Sequence, residues 1–198
     1  MSLRALALAC LLVTAPLSVA SAAPITAFYF TSSPESFIGH GETFRGSLDD
    51  GLTFYTNAYG FYGVGLTIRV PGTPPLYGDA REWNLLFSTA DGAPLVAGTY
   101  LSVIGPVTAS LDFSGNGRGN ATRTGSFEVL EYSVNPHYGF VESLAIDFIQ
   151  YDEGILSWWN VGSVRFNSEI PLTTPEPGPT SLALLAGVFA LARRLSAD

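Results

Sequence analysis

Lysine is absent from this 198-residue chain, cysteine occurs once and histidine twice. Each shortage removes a class of chemistry. Between Ala23 and Thr174 all positive side-chain charge rests on six arginines, set against 15 acidic residues. Nucleic acid is therefore not expected as a partner, because phosphate binding needs a basic face. The one cysteine, Cys10, lies near the start of the chain, so the stability of the middle must come from burial and not from disulfides. A thiolate metal site is excluded by count. His40 and His137 lie far apart in glycine- or proline-bearing segments, which excludes a histidine-rich site as well. No cofactor is expected. No internal run approaches the ~20 apolar residues of a membrane-spanning helix. Glycine and proline also interrupt most stretches between Pro24 and Pro171 that could hold three helical turns.

What is present is β-sheet patterning. Aromatic and β-branched residues alternate with polar ones in short runs separated by turn residues. Strands are expected near residues 25–30, 52–57, 62–70, 83–88, 98–104, 110–113, 125–134, 140–151 and 158–167. The clearest alternation puts Leu144, Ile146 and Phe148 on one face and Ala145, Asp147 and Ile149 on the other, which is only half polar and so expected to be partly covered. Trp83, Leu85 and Phe87 share a face, as do Val164 and Phe166 around Arg165. The expectation is one all-β domain at 23–170, a sandwich or barrel of about nine strands, flanked by an N-terminal signal helix and a C-terminal apolar helix.

Both ends read as addresses. Arg4, an apolar stretch from Ala5 to Val13 and a cluster of small residues follow the three-part plan of a secretory signal peptide at 1–22. Cleavage by signal peptidase is placed between Ala22 and Ala23. Cys10 sits inside the apolar stretch without the context of a lipidation site. At the other end Pro175-Glu176-Pro177 cannot enter a helix interior. It lies in a proline-rich linker at 171–181, which precedes an apolar run at 182–192 and then Arg193-Arg194. These three parts, in this order, resemble the PEP-CTERM sorting signal of Gram-negative envelope and biofilm proteins. The resemblance covers the last 24 residues. It implies processing by an exosortase near Pro175–Pro177 after transient anchoring in the inner membrane. Arg193 and Arg194 would stay cytoplasmic under the positive-inside rule.

The middle carries a second resemblance, through Asp112-Phe113-Ser114-Gly115-Asn116-Gly117-Arg118-Gly119-Asn120, Thr124–Leu130 and Asp147–Gly154. Together these are similar to a poorly characterised β domain of secreted bacterial proteins. That domain has cysteines where this chain has Asn120 and Asp152, and the resemblance suggests a disulfide between them there. It implies no activity.

Chemistry-bearing constellations are sparse. Trp158-Trp159 is the most ligand-like, since exposed aromatic faces stack on sugars; adjacent strand residues point to opposite sides, so one of the two is expected in the core. Tyr55, Tyr59, Phe61 and Tyr62 form a second aromatic group, best read as a strand pair with a bulge. Asp112-x-Ser114-x-Asn116-Gly117 copies the first half of a calcium loop, but Arg123 stands where the bidentate glutamate should be. The glycine-rich run there leads to a strand, unlike a phosphate loop. No serine-nucleophile elbow occurs. Asp147, Asp152, Glu153, Glu128, Glu131 and Glu142 supply carboxylates for glycoside hydrolysis by abundance alone. The functional expectation is an exported, non-enzymatic extracellular or cell-surface protein, a structural or adhesive component of the envelope or biofilm matrix, with a carbohydrate-binding module that recognises exopolysaccharide as the alternative and polysaccharide as the candidate partner.

Overall fold

The structure is a computed structural model that describes residues 22–72, 81–89, 92–102 and 109–173. The candidate sorting residues Pro175, Glu176, Pro177, Arg193 and Arg194, and the segments expected to form the two terminal helices, lie outside the described residues. The described chain is all-β, with no helix. Ten strands run in order: β1 Ile25–Ser32, β2 Thr43–Ser47, β3 Thr53–Tyr59, β4 Gly63–Arg69, β5 Glu82–Thr89, β6 Gly98–Ser102, β7 Ala109–Gly115, β8 Arg123–Val134, β9 Val141–Asp152 and β10 Trp159–Ser168. They form a six-stranded sheet, β2-β1-β10-β9-β8-β6, and a four-stranded sheet, β3-β4-β5-β7, with every described pairing antiparallel.

The strand count corrects the expectation of about nine. The additional element is β2, whose Thr-Phe-Arg-Gly-Ser run offers one large apolar side chain and a glycine, too little alternation to read as a strand. Its glycine has a packing reason, because a Cβ on Gly46 would sit 2.8 Å from both terminal methyls of the buried Leu52.

The inward faces are the ones that alternation marks. Trp83, Leu85 and Phe87 from β5 are buried, as are Leu144, Ile146 and Phe148 from β9 and Val164 from β10, with Phe166 packed at the margin. The two sheets meet through aromatic pairs. Phe30 stands edge-on to Trp83 at 4.5 Å between ring centroids, Phe113 contacts Phe148 at 5.4 Å, and Phe87 contacts Phe127 at 5.2 Å. Each large side chain so buried stabilises the fold by about 1.5–3 kcal/mol. Phe148 also fills the space opposite Gly162, its cross-strand partner, where a Cβ would come within 2.5 Å of the ring.

The outer face of the six-stranded sheet is covered in part. Ala145 and Ile149 are buried there, as expected, and Arg165 is fully buried. Its guanidinium donates to Asp147 Oδ1 at 2.8 Å and to the Pro171 carbonyl at 3.0 Å. Thr173 donates to Asp147 Oδ2 at 3.0 Å. Residues 171–173, at the start of the expected linker, therefore fold back onto the sheet as a strap.

Candidate functional site

The outer face of the four-stranded sheet carries a cleft of about 280 Å³. Strand alternation builds it. On β3, with Phe54 and Ala58 packed against the core, Tyr55, Asn57 and Tyr59 must point outward, and all three are exposed. Register then aligns them with outward residues of the next strands: Tyr55 opposes Thr67, which opposes Asn84, which opposes Ser114. In the neighbouring row Asn57 opposes Gly65, then Leu86, then Asp112. Gly65 leaves room for the Tyr59 ring to lean over the sheet, since a Cβ there would lie 3.0 Å from Tyr59 Cε2.

The polar groups of the cleft are partly committed. Thr67 donates to Asn84 Oδ1 at 2.8 Å, and the Asn84 amide donates to Glu82 at 3.3 Å. Arg69 sits at the rim, 2.6 Å from Glu82 and with its guanidinium 5.2 Å from the centre of the Tyr55 ring. Glu82 holds that guanidinium charged, moving its pKa further up. Asp112 pairs with Arg123 at 3.1 Å. Burial nevertheless pushes the Asp112 carboxyl above the ordinary carboxylate range, against the smaller opposing pull of Arg123. The side chains of Asn57 and Ser114 make no hydrogen bond among the described residues and remain available to a ligand.

Sequence reasoning missed this cleft. It named Tyr55 and Tyr59, but as part of a bulged strand pair. The pair is a hairpin with unbroken register from Thr53↔Arg69 to Tyr59↔Gly63, closed by Gly60, Phe61 and Tyr62. The available signal was the aromatic–polar alternation Tyr55-Thr56-Asn57-Ala58-Tyr59.

The Trp158-Trp159 platform takes a different form from the one expected. Trp159 opens β10 on the outer face of the six-stranded sheet, half-buried against Ile149, Tyr151 and Val161. Trp158 lies in the bend before it, also half-buried, with its carbonyl accepting from Asp152 N at 2.8 Å. Trp159 thus packs against a small buried cluster on the outer face of the six-stranded sheet, and not between the two sheets, where Asn160 is the first inward residue of the strand.

The carboxylates are dispersed. Asp147 holds Arg165 and the strap, Glu142 accepts from Ser133 and Asn135, and Glu131 accepts from Ser168. Glu153 accepts the backbone N–H groups of Ala121 and Thr122. Asp152 is fully buried: its Oδ2 meets Ser36 Oγ at 2.7 Å and Ile38 N at 3.0 Å, and its Oδ1 meets Asn120 Nδ2 at 2.7 Å and Asn160 Nδ2 at 2.8 Å. Asn120 and Asp152, the two positions of the suggested disulfide, thus touch directly and are joined here by a hydrogen bond. The half calcium loop is divided: Asp112 and Ser114 lie on β7 and Asn116 in the turn beyond it. Among the described residues no group of three His, Cys, Asp or Glu side chains is placed to hold a metal ion. Ala22 and Ala23 are exposed, with Pro24 between them and β1.

No family model, curated protein or solved structure matches this chain.

Proposed function

We propose that this protein is an exported, non-enzymatic component of the cell surface or biofilm matrix, trimmed at both ends by signal peptidase and an exosortase. The observation that supports this reading is that all ten described strands lie between the two proposed cleavage points. Ala22 and Ala23 are exposed, β1 begins at Ile25 and β10 ends at Ser168, seven residues before Pro175. Removal of both terminal segments would leave every described strand and the strap in place. The commitment of Asp147, Asp152, Glu131, Glu142 and Glu153 to structural hydrogen bonds favours a non-enzymatic role over a glycosidase.

The test is intact mass and cell fractionation of the chain expressed in its own host. The expected product starts at Ala23, lacks Arg193 and Arg194, and is recovered outside the cell. A membrane-bound form that keeps both arginines would overturn the assignment. Glu176→Ala should leave the precursor uncut.

A second reading, a carbohydrate-binding module acting on matrix polysaccharide, is favoured by one observation: the tyrosine-lined cleft of the four-stranded sheet.

A further inference from the structure

We propose that this cleft is a binding site for a neutral polysaccharide, with Tyr55 and Tyr59 as stacking platforms and Asn57, Asn84 and Asp112 as hydrogen-bonding groups. The proposal deepens the second reading. It is independent of the export signals.

The geometry supplies the two kinds of contact a sugar chain needs. A pyranose ring has an apolar face of polarised C–H bonds, which suits the electron-rich face of an aromatic ring, and an edge of hydroxyls that donate and accept. Tyr55 and Tyr59 stand four residues apart on one face of β3, about 13 Å along the strand, which suits an extended chain of several sugar units. Arg69 covers one side of Tyr55, so the remaining side and the exposed Tyr59 ring are the surfaces available for stacking. Between and beside the rings lie the unpaired Asn57 amide and Ser114 hydroxyl, one amide N–H of Asn84, and the Asp112 oxygen not engaged by Arg123. A concave surface with a few convergent polar groups is the usual form of a ligand site.

Charge selects among polysaccharides. The two cations at the cleft are both engaged, Arg69 by Glu82 and Arg123 by Asp112. The whole chain carries a formal charge of −8. A uronate or phosphorylated chain would find no free cation and would meet a repulsive field. A neutral hexose polymer meets neither obstacle. Tyrosine is also a good strand former, and an edge strand can show one exposed ring for that reason alone. Two rings that converge with unpaired polar groups on one concave surface go beyond it.

Native gel electrophoresis of the full chain in mild non-ionic detergent tests the proposal, with glucan, mannan or galactan cast into separate gels and a polyuronate gel as the contrast. The expected result is retardation in at least one neutral gel and none in the polyuronate. Tyr55→Ala and Tyr59→Ala should each weaken retardation roughly tenfold, the order of one stacked ring. Both side chains are exposed, so the thermal midpoint should hold. Gly65→Ala, which displaces the Tyr59 ring without removing it, should weaken binding in the same direction. The Trp158→Ala/Trp159→Ala double variant should bind like the parent. Retardation in no neutral gel, retardation only in polyuronate, full binding by both tyrosine variants, or loss only in the tryptophan variant would each overturn the proposal. None of these results bears on where the chain is cut or exported, which mass and fractionation decide separately.

Discussion

Asp112 shows how one residue can be held against its own preference. Burial raises its carboxyl pKa, and Arg123 offsets only part of that shift. For an acid whose folded-state pKa is raised, the stabilising contribution is complete below the unfolded value of 3.8 and is lost as pH rises through the folded value. At neutral pH burial of this carboxyl is therefore a liability to the fold. Asp112→Asn should be neutral or slightly stabilising at about pH 7, and that advantage should vanish near pH 3. Urea unfolding at the two pH values checks this; a loss above ~1 kcal/mol at neutral pH would show the ion pair to be the larger effect. The same residue explains why the site was hard to read. In sequence, Asp112 looked like the first ligand of a calcium loop, but strand alternation turns it outward into the cleft while Asn116 leaves through a turn. Its cleft partners Asn57 and Asn84 are unremarkable in their own segments, and only the register of four strands brings them together.

At the level of strands, legibility followed side-chain period. β5, β9 and β10 were readable because large apolar residues recur at every second position, and burial of those residues decides the face. β2 was not readable, because it is a short edge strand with a single aromatic anchor. What joins the two sheets was equally hidden. Gln150 lies on the inner face of β9 among apolar neighbours and is fully buried. It accepts from Phe113 N at 2.7 Å and donates to Phe113 O at 2.8 Å, closing the free edge of β7 across the sandwich. Gln150→Leu keeps the bulk but strands two buried backbone groups, and the expected loss is about 2–4 kcal/mol. A urea titration should show a lower midpoint with an unchanged slope. A loss below ~1 kcal/mol would mean that the edge of β7 finds other partners.

For the whole molecule, the strap at 171–173 joins the folded domain to the segment proposed for processing. Arg165 is the residue that fixes it. Its guanidinium is out of contact with solvent and bonds Asp147, Pro171 and Thr173, while Ser163 also meets Thr173 at 3.0 Å. A buried cation with several partners contributes less to net stability than to geometry, because its desolvation offsets much of the attraction. Here the geometry is the direction in which the chain leaves the six-stranded sheet. Arg165→Met fills similar volume, leaves the partly exposed Asp147 solvated, and removes every bond that the guanidinium makes to the strap. The expected result is a modest loss of global stability, about 1–3 kcal/mol, with a much larger change in local opening. Limited proteolysis should cut near residues 171–174 at least tenfold faster than in the parent, while β1 to β10 stay protected, because local opening is governed by the contacts of the segment and not by the core. Continued protection of the strap in this variant would show that Ser163 and Asp147 suffice to hold it. If the proposed exosortase processing takes place, faster trimming of the same variant in the native host would mean that the clamp sets access to Pro175–Pro177. Unchanged trimming with a released strap would mean that the processing segment is already accessible when the domain is fully folded.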